Sequence, residues 1–420
     1  MTERDFSQKL EVRKIFWAMG ASTRLNVKLG SLAAPKTSKG RAASDEWTDL
    51  DVLAVQYSPL ANTTYAIADC KTTKARAAER VFWVRGVADL FGATTVYMAR
   101  ESDLAPNARQ LALRLNVAAL DPADRVRLLE HSGTAALPIA GDFFAADRQV
   151  RIESILSGAP VALEKLDRYR RAFYWVFPRY RNLTQLPAYL EEASRLFNVA
   201  DRWAHLVLLD LAWLYLVTVC HTIDQITRLQ LAALATSLRQ TVVGGEQEMR
   251  EKQVLAEKLR LVMNSVAADS RESIPDVPLL PAYFEDLVDL VSRAAARRFV
   301  LTDSLRAIEF TATETVAAGG AAWKQAFPQA NVHAAKLASD VVRFLVRAAR
   351  LNPAFVTRFD DAIEGRGLLP RTTSEDAQRP VERDPDPGPK DRGKAEARTA
   401  PERPKSKTDS FRLFGDTSQD

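Results

Sequence analysis

At 420 residues, with 47% apolar and 26% charged side chains, the chain has the composition of an ordinary globular protein, with room for two or three domains. Its two cysteines, Cys70 and Cys220, lie far apart, which excludes a disulfide framework or a cysteine zinc site and points to a reducing, cytoplasmic compartment. The net charge of +5 resides in residues 1–370, because residues 371–420 hold 11 basic and 11 acidic side chains; the excess hints at a polyanionic partner. The N-terminal MTERDFSQKL has no apolar run, so no signal peptide is expected.

In chain order, residues 4–19 read as a helix, with Val12, Ile15, Phe16 and Met19 at i, i+3, i+4 and i+7 and Gly20 as its stop. Residues 25–29 form a short strand, followed by a polar loop to Thr48. Between positions 24 and 41 stand Arg24, Lys28, Lys36, Lys39 and Arg41 without one acid. Such a segment either follows a phosphate backbone or is simply a solvated loop. The next strand, Leu50 to Val55, carries Asp51 amid apolar residues, with Asp49 at its loop edge. In the strand Tyr65 to Lys71, period two puts Tyr65, Ile67, Asp69 and Lys71 on one face. A helix (74–91), a strand (94–99), a helix (108–116) and a short strand (117–120) complete the unit before Asp121-Pro122. Charges amid apolar strands are rare unless paired or bound to metal. Two carboxylates on adjacent strands with a lysine beside them suit a hard divalent cation and a phosphate.

Asp51 followed by Asp69-x-Lys71, within TDLDVLAV and YAIADCKTTK and ahead of FGATTVYMAR, resembles the signature of the PD-(D/E)XK nuclease superfamily, in particular its Mrr-like and Holliday-junction-resolvase-like branches. The resemblance covers residues 4–121. It implies a restriction-endonuclease-like α/β domain with a mixed sheet flanked by helices, and a DNA endonuclease acting in DNA repair or antiphage defence. In such a site Asp51 and Asp69, joined by Glu11 on the first helix, hold Mg²⁺, with Mn²⁺ as a substitute. Lys71 orients the attacking water or stabilises charge on the phosphate, and Glu79 is a weaker helper. The alternative for Glu11 is an exposed helix glutamate. Two positions depart from the pattern: Leu50 replaces the usual proline, and the second acid is aspartate rather than the commoner glutamate. The alternative function is a DNA-binding or scaffold protein that keeps the fold without turnover; a homodimer is compatible with either.

Residues 122–366 read as an all-α domain. The most apolar run, Leu206 to Cys220, is broken by Asp210; its 15 residues fall short of the ~20 needed to cross a bilayer, so no membrane partner is expected and a central buried helix is. Gly244-Gly245 precedes a charged helix over 246–263. Between positions 168 and 181, Arg170, Arg171 and Arg179 interleave with aromatics, which suits phosphate contact with base stacking, although such aromatics are more often core with the arginines rimming it. The four histidines share no metal-ligand spacing, and no phosphate-binding G-x-x-x-x-G-K-[ST] loop is present. Residues 367–420 have the composition of a disordered tail. It ends in Ser410-Phe411-Arg412-Leu413-Phe414, which resembles the pentapeptide that docks bacterial repair enzymes on the sliding clamp, through Phe411, Leu413 and Phe414. The alternative is a nonspecific apolar end.

Overall fold

The computed structural model describes residues 3–30, 46–58, 62–71, 77–229, 234–266 and 279–366. Its first third runs helix, three strands, helix, strand, helix, strand: α1 (Glu3–Ala18), β1 (Ser22–Gly30), β2 (Glu46–Ser58), β3 (Asn62–Lys71), α2 (Ala77–Phe91), β4 (Thr95–Arg100), α3 (Pro106–Arg114) and β5 (Ala118–Leu120). This is the order expected from periodicity. The strands form one mixed sheet in the order β1-β2-β3-β4-β5. β1, β2 and β3 are an antiparallel meander, while β4 and β5 run parallel to β3 and so need α2 and α3 as crossovers. Gly20 and Gly92, both with positive φ, follow α1 and α2, the backbone state that ends a helix most cheaply in glycine.

Every residue from Leu50 to Val55 is buried, the mark of a strand covered on both faces. One face of the sheet is built from small side chains, Ala54, Ala68, Cys70 and Ala99 around Val52, against which Val12 and Phe16 of α1 pack. The other face, with Leu53, Val55, Ile67 and Met98, joins Val81, Val84 and Ala88 of α2 in a core that continues without a break into the helical part.

The change to all-helical structure comes at the expected place, where Asp121 caps α4 (Pro122–Ser132) through a reciprocal capping box with Asp124. α5 (Ala146–Ser157) and the longer helices follow. The apolar run sits in a helix, Arg202–Leu229, that extends well past it. Among the described residues this is the one helix long and apolar enough to cross a membrane, and 94% of its most apolar window is buried inside the protein. Its neighbours are the sheet and the other helices. Trp213 Nε1 donates to Ser22 Oγ (2.8 Å), and the backbone N–H of Thr63 donates to Asp224 Oδ2 (2.7 Å). Thr302 Oγ1 accepts from the backbone N–H of Tyr57 (2.9 Å). Residues 1–371 accordingly form one compact unit. The sequence boundary at 121/122 marks a change of secondary structure within it. The tail from 367 onward, with Phe411, Leu413 and Phe414, lies outside the described residues.

Candidate active site at the β2–β3 strand ends

The β1–β2 register passes from Leu25↔Val52 to Val27↔Leu50, which puts Asn26 across from Asp51. The β2–β3 pairing reaches Val52↔Ala68, and its next step sets Asp51 opposite Asp69. One row across the sheet therefore reads Asn26, Asp51, Asp69. Asn26 breaks the ladder with φ of 54°, a conformation that asparagine tolerates better than most residues. Both acids are buried, Asp51 at 4% and Asp69 at 5% exposure, whereas Asp49 is exposed.

Buried carboxylates need compensation, and each of these has its own cation. Lys9 of α1 bridges Asp51 Oδ1 (2.6 Å) and Asn26 Oδ1 (2.6 Å). Asp51 Oδ2 accepts the backbone N–H of Cys70 (2.8 Å), satisfying a donor where β2 and β3 part. Arg80 of α2 grips Asp69 with both arms of its fork: Nε donates to Oδ2 (2.7 Å) and Nη2 to Oδ1. The guanidinium also lies 3.5 Å above the Trp83 ring, which fixes its plane. Glu11, half-exposed, accepts from Arg125 Nε of α4 (2.8 Å), and Arg125 Nη1 donates to the carbonyl of Arg100 (2.5 Å). Arg100 is in register with Lys71 across β3–β4. The side chain of Lys71 is outside the described residues, as are positions 72–76. Burial, then the charges of Asp51 and Asp69, push the Cys70 thiol well above its ordinary range, so it is a neutral filler rather than a nucleophile.

The expected acids thus fall into two groups. Asp51 and Asp69 are neighbours in one row and offer hard oxygen donors, which fits the two-carboxylate part of a Mg²⁺ or Mn²⁺ site. Glu11 is turned to Arg125, and among the described residues no group of three His, Cys, Asp or Glu stands close enough to hold a metal. Glu79 is exposed, and its neighbour Arg80 is the α2 residue that reaches Asp69. Lys9, Arg80 and Arg125 escaped the sequence reading, since no periodicity names the partner of a buried acid. Gln8 escaped it as well: it lies one turn before Val12 on α1, 4% exposed, with neither amide atom hydrogen-bonded.

The proposed nucleic-acid residues divide differently. Arg24 and Arg170 are held inside the protein by Asp210: Arg24 Nη1 to Oδ1 at 2.5 Å and Arg170 Nη1 to Oδ2 at 2.9 Å. Burial pushes Asp210 upward, but the two arginines outweigh it and hold its carboxyl below the ordinary range. Arg171 pairs with Asp167 at 2.9 Å. Tyr169 and Tyr174 are buried in the core, and Phe173, Trp175 and Phe177 pack against it partly buried. Of the proposed Arg170, Arg171 and Arg179, only Arg179 is exposed, with Nη1 3.2 Å from His221 Nδ1. Lys36, Lys39 and Arg41 lie outside the described residues.

Comparison of the chain with protein-family models, curated proteins and solved structures finds no match.

Proposed function

We propose that the Asp51–Asp69 end of the sheet is a phosphodiester-hydrolysing site of the restriction-endonuclease-like kind, acting on DNA in repair or in defence against foreign DNA. The observation that carries this reading is the register: two buried aspartates each stand one residue past the Val52↔Ala68 pair, where β2 and β3 part, in a helix–three-strand–helix–strand–helix–strand sheet. In this reading Asp51 and Asp69 would hold Mg²⁺, which supplies an activated water and neutralises charge on the phosphate. Lys9 and Arg80 balance the two acids and hold them in place. The fork of Arg80 also matches a phosphate as well as it matches a carboxylate. Lys71, two residues after Asp69, belongs beside the scissile phosphate in the pattern the sequence resembles.

One observation favours a second reading, a DNA-binding protein that keeps this fold without turnover: Asp51, Asp69 and Glu11 are each already paired with a cation. The two readings separate on plasmid, linear, branched and single-stranded DNA incubated with Mg²⁺ or Mn²⁺. The nuclease reading expects ion-dependent cutting that Asp51→Asn and Asp69→Asn each abolish. DNA binding with no cutting of any form leaves the second reading. Cutting that survives Asp69→Asn removes the assigned site.

A further inference from the structure

Gln8 is 4% exposed, and neither atom of its amide has a hydrogen-bond partner. Among the described residues it is the one buried side chain with two unpaired polar atoms. The position favours a different residue type. Gln8, Val12, Ile15 and Met19 stand at i, i+4, i+7 and i+11, the apolar stripe of α1, and Val12 and Ile15 are fully buried. Methionine would fill the same space with no polar atom left over, whereas a buried amide without partners forfeits the hydrogen bonds it made to water. An orphaned amide of this kind in a folded chain points to a partner that arrives from outside.

Helix geometry fixes where that amide is turned. Residues on α1 are set about 100° apart, so Gln8 lies about 100° from Lys9 and about 60° from Glu11, between the two. Lys9 reaches Asp51 on β2, and Glu11 reaches Arg125, whose guanidinium donates to the carbonyl of Arg100 at the end of β4. Between β2 and β4 stands β3, and Val12, one turn on from Gln8, packs with Ala68 and Cys70 of that strand. Gln8 is therefore turned to the end of β3, at Asp69-Cys70-Lys71. The acids there are addressed from both faces of the sheet, Asp51 by Lys9 of α1 and Asp69 by Arg80 of α2. We infer, resting on the reading of Asp51 and Asp69 as an ion site, that Gln8 is the contribution of α1 to it, in the place where Glu11 was expected. Its Oε1 is a third, neutral oxygen donor for the divalent ion, and its Nε2 is free to donate to a water that a hard ion keeps.

Urea unfolding of the full chain, titrated with Mg²⁺ or Mn²⁺ and without nucleic acid, gives the ion's dissociation constant from the stability it adds. Gln8→Met keeps the length of the side chain and removes the amide. Without ion this variant should be at least as stable as the wild type, and its ion dissociation constant should rise by about tenfold or more, the usual loss for a group that supports a metal. Gln8→Glu, a carboxylate in place of a neutral oxygen, should be less stable without ion and bind the ion about tenfold more tightly. Asp69→Asn locates the site, since its ion-dependent gain should vanish. A gain that Asp69→Asn abolishes and Gln8→Met keeps in full removes Gln8 and leaves the two acids in the site; a buried water would then be the amide's partner. A Gln8→Glu protein that binds the ion no more tightly than the wild type overturns the inference also. No gain in the wild type removes the ion site and Gln8 together.

Discussion

Asp69 is buried, and among the described residues its charge is met by the Arg80 fork. Truncating one partner of such a pair leaves the other charged and desolvated, at a cost of about 3–5 kcal/mol. Arg80→Gln should therefore destabilise the protein by that order in urea titrations without added metal. If Asp51 and Asp69 accept a divalent ion, the same variant should regain stability in Mg²⁺ or Mn²⁺, by about 2.7 kcal/mol once the ion is at a hundred times its dissociation constant. A variant whose stability ignores both ions would show that the two carboxylates do not bind them. His221 supplies a second residue-scale prediction. Burial, with the charge of Arg179 acting in the same direction, pushes its imidazole down to about 3 from the ordinary 6.5, so the folded protein keeps it neutral. The unfolded chain takes up that proton below 6.5 and the folded chain does not. Stability from this group is thus complete above about pH 6.5 and is lost as pH falls toward 3. The loss should approach about 1.4 kcal/mol per pH unit, beyond that of a His221→Gln variant, in urea titrations between pH 7 and 5. Parallel curves for the two proteins would place the imidazole's protonation near its ordinary value.

At the scale of elements, α1 is the piece that everything else holds. Three of its cations or acids reach different parts of the molecule: Lys9 reaches β1 and β2, Glu11 reaches α4, and Arg13 reaches the helix Leu301–Phe310. The last of these is a buried hub. Glu309 accepts from Arg13 Nη2 (2.9 Å), Trp17 Nε1 (3.0 Å), Ser22 Oγ (2.7 Å) and the backbone N–H of Thr23 (2.7 Å). A carboxylate with that many donors is fully satisfied, and deleting it strands all of them at once. Glu309→Ala should cost about 3–5 kcal/mol in chemical denaturation, with Arg13 left as an uncompensated buried charge. The double variant Glu309→Ala with Arg13→Met should recover part of that loss. A neutral effect of the single change would mean that α1 is not pinned through this hub.

For the whole molecule, the sheet and the helical part share one core, so the sheet's second face has no solvent-ready surface of its own. Tyr57 and Tyr65 are buried there, beside Thr302 and His221 of the later helices. A fragment of residues 1–121 should therefore retain secondary structure but lack fixed aromatic packing, seen as a lost near-ultraviolet circular dichroism signal. Residues 1–366 should melt in one cooperative transition with that signal intact. Cooperative folding of the short fragment would restore an autonomous N-terminal domain.

What was legible in advance follows from how local the signals are. The strands around Asp51 and Asp69 show as apolar runs with period two, and α1 and α2 as apolar stripes near period 3.6. Glycines mark two of the helix ends, so element order and the nearness of the two acids could be read from neighbours in the chain. The burial of Asp51 over Asp49 followed in the same way, since one lies inside the apolar run and the other at its edge. The counter-cations could not be read. Arg80 meets Asp69 across 11 residues, Arg125 meets Glu11 across 114, and Arg24 meets Asp210 across 186. Arginine and lysine at those positions look like any solvated charge until packing removes the water around them. The arginine-aromatic stretch was ambiguous for the same reason: its composition suits nucleic acid and core alike, and in the structure the Arg202–Leu229 helix laid against it turns Arg170 inward onto Asp210. Periodicity reports which face of an element avoids water. Which charge compensates which acid is set by how elements far apart in the chain pack together, because an ion pair becomes obligatory only once its surroundings are dry.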